Sequence, residues 1–221
     1  TSVSLPSSLN TIPDNCFRSC EALKSISGSE NIRTVGKNAF YGCEYLKSFD
    51  FTNVESIGNA GFCHMGLESV KLSSNLKTLG TAVFCNCKNL NSVDMSECVS
   101  LEGLPEKTFW CDVNFEPTSF EITLNNSIKS FGSGCFYRES LTSITLPNKI
   151  TELGTECFSG CKSLTSISIP STVITLGEKC FMDCTGLTSV IFAENSQGET
   201  NINNMGSYCF YSCGALEEIS I

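Results

Sequence analysis

The amino-acid sequence predicts an α/β repeat solenoid: about nine stacked units forming one domain over residues 1–221, with a ladder of short parallel strands on the concave face and short helical or 3₁₀ turns on the convex face. Three observations carry this. A phenylalanine recurs with neighbours at spacings that never change. A period-two apolar pattern follows an anchor leucine in almost every unit. A glycine or proline punctuates each unit at one fixed place.

The phenylalanines are Phe17, Phe40, Phe62, Phe84, Phe109, Phe136, Phe158, Phe181 and Phe210. Five residues before each stands an apolar residue (Ile12, Val35, Ile57, Leu79, Leu104, Phe131, Leu153, Leu176, Met205), and three residues earlier another, from Leu9 to Ile202. Repeat length varies while these offsets hold, so the variation falls in loops and not in the packed positions.

Next comes the anchor: Leu23, Leu46, Leu67, Leu90, Leu141, Leu164, Leu187 and Leu216, with Ser119 in its place once. Apolar residues follow at its third and fifth successors, as in Leu141-Thr-Ser-Ile144-Thr-Leu146. Alternation with period two is the pattern of a strand with one buried face. One short strand every 21 to 29 residues is too sparse for hairpins, so equivalent strands lie side by side in parallel.

The residue after the second apolar pair is Gly36, Gly58, Gly80, Gly132, Gly154, Gly177 or Gly206, with Pro13 and Pro105 in the other two units. Gly or Pro there marks a turn. The segment that follows, such as Gly154-Thr-Glu-Cys157-Phe158-Ser-Gly-Cys161, is too short for a full helix and is expected to form one helical or 3₁₀ turn. A single unit buries nothing by itself, and stability comes from stacking.

The unit L-x-S-I-x-[IL]-P-x-x-[IV]-x-x-[IL]-G-x-x-[CA]-F-x-x-C-x-x-L resembles the BspA-like class of leucine-rich repeats over essentially the whole chain. The resemblance implies a leucine-rich-repeat solenoid and a place among bacterial and protozoan proteins, many of them surface adhesins. The chain departs from the pattern where Met65, Asp112 and Glu139 replace the cysteine three residues after the phenylalanine. It departs again in two long units around residues 98–118 and 193–203. The array reads as cut from a longer one, with uncapped ends open to self-association.

Most of the fifteen cysteines fall in two slots, directly before the phenylalanine (Cys16, Cys135, Cys157, Cys180, Cys209) and three after it (Cys20, Cys43, Cys87, Cys161, Cys184, Cys213). Elsewhere the first slot holds Ala39, Gly61, Val83 and Thr108, so it selects a small side chain, and the expected role is that of a small buried hydrophobe. Zinc ligation and disulfides between neighbouring coils stay open as alternatives. Cys63, Cys85, Cys98 and Cys111 lie outside both slots and are expected to be the exposed thiols.

Charge and composition narrow the function. A net charge of −9 without a basic stripe argues against nucleic acid, and no apolar run is long enough for a membrane span. The excess acid sits in residues 111–221, which carry 5 basic and 12 acidic side chains against 9 and 11 in residues 1–110. His64 is the only histidine, is expected to be solvent-exposed, and its neighbour Cys63 points elsewhere. No acid–base pair or phosphate loop is visible, so an enzyme and a cofactor are not expected.

Binding is the expected role, with a protein or glycoprotein as partner. The outward strand positions form a carpet of hydroxyls (Ser25, Ser48, Ser69, Ser92, Ser143, Ser166, Ser189) interrupted by charge at Asp50, Lys71 and Asp94. The irregular segment 109–118 contributes the only tryptophan, Trp110, and the polar insertion 194–200 reads as a flexible loop. These features point to Asp50, Lys71, Asp94 and Trp110 as binding residues. The resemblance places the chain at the cell surface or in secretion, whereas the many thiols favour an intracellular scaffold.

Overall fold

The computed structural model describes residues 1–112 and 119–220, and in it the chain winds as a parallel β-solenoid of about eight turns. The strands after the anchor positions form the expected front ladder. Ser2–Ser4 pairs with Ser25–Ser27; Ser69–Lys71, Ser92–Asp94 and Glu121–Thr123 form a second sheet; Ser166–Ile169, Ser189–Phe192 and Glu218–Ser220 a third. Pairing is parallel and in repeat register, for example Ser69↔Ser92 and Lys71↔Asp94. The central residue of each strand points inward, so Val70, Val93, Ile167 and Val190 are buried while their flanking residues face out.

The front ladder breaks twice. At residues 46–51 the inward positions are Phe49 and Phe51, whose rings pack edge-on against Phe62 at 5.1 Å. No strand forms there. The second break lies at residues 141–146, joined to the preceding coil by a single bridge, Phe120↔Leu141.

A second ladder, not anticipated from the sequence, runs along the residues just before the punctuating glycine or proline. Nine two-residue strands, from Thr11–Ile12 to Asn204–Met205, pair in parallel in one group of four and one of five. The glycines that follow are required by proximity: a Cβ on Gly177 would stand 2.4 Å from the carbonyl carbon of Gly154 one coil below. Nothing but hydrogen fits there.

The convex face corrects the sequence expectation. It carries no helical turns: among the described residues the only helix is a 3₁₀ turn at Ser29–Asn31, elsewhere in its coil, so the α/β class and its helical convex face give way to an almost purely β solenoid. The reason lies in where the amides point. In the first unit Cys16, Arg18 and Cys20 donate to carbonyls three residues back, whereas Asn15, Phe17 and Ser19 donate to Lys37, Ala39 and Tyr41 of the next coil. A helix keeps every N–H in its own segment; this arch exports every second one. Left-handed residues two before and two after the phenylalanine make the alternation geometrically feasible, and many are not glycine: Asn15, Ser19, Asn38, Ala60, His64, Ala82, Glu156 and Asp183 among them.

The export is unbroken. At all eight steps the phenylalanine amide donates to the carbonyl of the residue before the next phenylalanine, from Phe17→Ala39 at 2.8 Å to Phe181→Cys209 at 2.8 Å. The rings stack face to face in step, with centroids 5.2 to 5.9 Å apart and interplanar angles of 1° to 14°. The two strand ladders break at different steps, and this phenylalanine spine continues through every break.

Around it each interior coil buries its own set, as Ile150, Leu153, Phe158, Leu164, Ile167 and Ile169 do at 0 to 2% exposure. At about 1.5–3 kcal/mol per large apolar side chain, the burial is substantial, and a coil gains it only when covered on both sides.

Candidate functional site

Asp50, Lys71 and Asp94 stand together on the outward side of the front ladder. Lys71 and Asp94 are register partners, and the Lys71 ammonium lies 4.0 Å from Asp94 Oδ2 and 3.5 Å from Glu97 Oε1. Asp50 sits at the first ladder break, where its Oδ1 accepts the Thr52 amide at 2.8 Å. With Lys71, Ser69, Ser73 and Glu97 it lines an open cleft of about 450 Å³ floored by Phe49 and Phe51. A second, smaller concavity of about 270 Å³ continues across Ser69, Lys71, Ser92, Asp94, Glu121 and Thr123.

Asp94 is held below the usual carboxylate range, first by the Ser96 hydroxyl and then by the Ser96 amide, with Lys71 adding to it, and stays ionised. The Lys71 side chain is 68% exposed, and exposed ion pairs of this kind contribute at most about 1 kcal/mol. Both partners can therefore be re-paired by a ligand at little cost. The hydroxyl rows are where the sequence places them, as in Ser2↔Ser25 and Ser166↔Ser189, with exposed Ile191 the apolar exception.

Trp110 lies elsewhere. It follows Phe109 in the convex arch and stacks on Tyr137 of the next coil at 5.5 Å and 12°, with the Arg138 guanidinium 6.0 Å from the same tyrosine ring. The four residues singled out in the sequence therefore occupy two faces. Residues 113–118 of the irregular segment lie outside the described residues. The 194–200 insertion is a hydrogen-bonded turn in which Asn195 Oδ1 accepts the amides of Gln197 at 2.8 Å and Glu199 at 3.1 Å.

Four thiols expected at the surface are not there: Cys63, Cys85, Cys98 and Cys111 are 4, 8, 0 and 2% exposed. The position after the phenylalanine is covered by its register mate in the next coil, and Cys98 is tucked in with its thiol toward the Ser73 carbonyl at 3.4 Å. The slot cysteines are buried as expected, apart from the outer coils, where Cys16 is exposed and Cys20 and Cys213 partly so. Why cysteine suits the later slot is visible only in the fold. Its thiol donates to the phenylalanine carbonyl of the preceding coil, at 3.0 to 3.1 Å for Cys43, Cys87, Cys161, Cys184 and Cys213.

His64 is half-buried. Its Nε2 meets Asn86 Nδ2 at 3.2 Å and its ring lies 5.2 Å from Tyr41; burial, aided by Lys88, lowers its pKa. A buried carboxyl, Glu139, fills a cysteine slot and shares a hydrogen bond with the Cys111 thiol, and burial pushes its pKa up to about 8. No group of three or more His, Cys, Asp or Glu converges as metal ligands among the described residues. No helix among them is long and apolar enough to cross a membrane.

A parallel β-solenoid built from coils of this kind is leucine-rich-repeat-like. The BspA type leucine rich repeat region matches residues 1–116 and 102–221 in six copies, and the chain belongs to that family. Solved structures share the fold: a leucine-rich repeat protein from Bacteroides ovatus (24% identity, TM-score 0.62, covering 98% of this chain and 65% of that one) and the pneumococcal vaccine antigen PcpA (19%, 0.53, 97% and 66%). A leucine-rich repeat protein from Eubacterium ventriosum is also similar (17%, 0.53, 100% and 78%). The chain thus spans just under two thirds of the length of the first two. Comparison with curated proteins gives no match.

Proposed function

We infer that the chain is a non-catalytic recognition module of a cell-surface protein, which takes a polypeptide or glycoprotein on its front strand face. The observation that carries this is the charged step at Asp50, Lys71, Asp94 and Glu97, set in a row of short hydroxyls and opening on a cleft of about 450 Å³. The hydroxyls offer hydrogen bonds without bulk, and the weak ion pairs supply charge that a ligand can capture. Membership of the BspA-type family supports a surface location, as does the shared fold of a pneumococcal vaccine antigen.

A second reading, an intracellular scaffold, is favoured by one observation: all fifteen cysteines are free and twelve of them are buried, an arrangement suited to reducing surroundings.

Panning the purified chain against an array of extracellular glycoproteins and non-glycosylated matrix proteins tests the first reading. Binding to at least one is expected, weakened about tenfold by Lys71→Glu and by Asp50→Ala, a loss of about 1.4 kcal/mol, and weakened further by salt. Binding that survives both front-face substitutions but is lost with Trp110→Ala would move the site to the convex face. Binding to none would defeat the reading. Detection on intact cells by an antibody to the chain separates the surface location from the scaffold.

A further inference from the structure

We propose that Cys63 and Cys85 are a disulfide-forming pair, oxidised by a hydroperoxide to a bond that staples the third coil to the fourth on the convex face. The pairing comes from register. Phe62 and His64 donate to the carbonyls of Val83 and Cys85, at 3.1 and 2.8 Å, so Cys63 faces Cys85 across one rung of the arch ladder. The same position two coils on, Trp110 against Tyr137, shows side chains there meeting ring on ring. Neighbouring parallel rungs lie about 4.8 Å apart, inside the roughly 4.4–6.8 Å Cα separation that a disulfide spans.

Other cysteines also share rungs, and their hydrogen bonds set them apart. Thiols in the later slot give their protons to phenylalanine carbonyls, and Cys43 does so to Phe17 instead of engaging Cys20. In the run before the phenylalanine, Cys135 bonds to Thr108, and Cys157, Cys180 and Cys209 bond to backbone groups. Cys63 and Cys85 instead face each other across one rung, and each is the largest single influence on the other's titration.

Their proximity also separates their roles. Cys63, with Lys107 nearby, favours the Cys85 thiolate, while Cys63 itself is held protonated by its neighbour Cys85 and by burial. At 8% exposure Cys85 is the most accessible of the buried cysteines. The Phe62–Phe84 step is also the widest in the ring stack, at 5.9 Å.

The chemistry balances in two steps. Cys85 sulfur attacks one oxygen of hydrogen peroxide; the O–O bond breaks, and the departing hydroxide takes up the proton shed by the Cys85 thiol as water, leaving a sulfenic acid. Cys63 sulfur then attacks that sulfur; the S–O bond breaks and the hydroxyl leaves as water with the Cys63 proton. Two thiols lose two electrons, and one peroxide becomes two waters.

The test is mass mapping of the reduced, folded chain after brief exposure to a few-fold excess of hydrogen peroxide, with alkylation before non-reducing digestion. A Cys63–Cys85 linked peptide, lighter by two hydrogens, is expected to appear before any bridge within Cys135, Cys157, Cys180 and Cys209 or between Cys20 and Cys43. In Cys63→Ser a dimedone adduct is expected on Cys85; in Cys85→Ser neither bridge nor adduct is expected at Cys63. A bridge forming first at another pair, or both thiols still alkylatable only on unfolding, would overturn the proposal. The wild-type map decides even where a variant fails to fold.

Discussion

Replacing Phe158 by alanine measures how much the phenylalanine spine contributes to the fold. Its ring is fully buried, stacked on Phe136 and on Phe181 at 5.3 Å each, with Phe131 edge-on at 6.2 Å. Truncating a buried phenylalanine costs about 3–5 kcal/mol, and a ring covered on both faces belongs at the upper end, about 5 kcal/mol. Phe17 supplies the control: it is partly exposed and stacks only on Phe40, at 5.2 Å, so Phe17→Ala should cost about 2 kcal/mol. Urea unfolding followed by Trp110 fluorescence and by circular dichroism reads both, and coincidence of the two probes checks that the transition is cooperative. Equal losses for the two variants, or a loss below about 1.5 kcal/mol for Phe158→Ala, would refute the claim that the stack holds the coils together.

Further expectations concern charge, backbone and thiols. Glu139 is buried with its pKa raised to about 8, so it binds its proton more tightly folded than unfolded; its contribution is complete below the ordinary glutamate range and is lost as pH rises toward 8. Stability should fall with pH across that window at up to about 1.4 kcal/mol per unit, and Glu139→Gln should flatten the slope; identical slopes in the two proteins would contradict the assignment. Ala82 holds a left-handed conformation at φ 54°, so Ala82→Gly should stabilise by about 0.5–1 kcal/mol and Ala82→Val destabilise, as calorimetry can show. Ellman titration of the folded chain should find Cys16, Cys20 and Cys213 reacting readily and the Cys135, Cys157, Cys180 and Cys209 run reacting only on unfolding; rapid reaction of that run would mean its burial is wrong.

The front ladder could be read from the chain because period two is a strong signal when repeated, and Leu164-Thr-Ser-Ile167-Ser-Ile169 becomes the strand Ser166–Ile169. The second ladder was hidden because each strand there is two residues long and shows only one inward side chain, such as Leu153. Helix and arch were confused for a physical reason: both bury the phenylalanine and the residue four from Cys157, and they differ in where alternate amides point. Asn15 and Asn38 carry a left-handed hint, but Ala60, Ala82 and Glu156 do not, since their conformation is imposed by bonds to the next coil. The candidate site was legible residue by residue and not as a set. Lys71 and Asp94 share an offset from their anchor leucines and so a rung, whereas Trp110 occupies the offset of Tyr137, Cys63 and Cys85 and belongs to the other face.

The central claim is that phenylalanine amides bond from coil to coil and thereby hold the front face at fixed spacing. Through-hydrogen-bond scalar couplings in the deuterated, ¹⁵N,¹³C-labelled chain read this directly. Couplings are predicted from the Phe158 nitrogen to the Cys180 carbonyl carbon and from Phe136 to Cys157. A coupling from Phe158 to Gly154, four residues back in its own coil, would restore the helical turn and contradict the account.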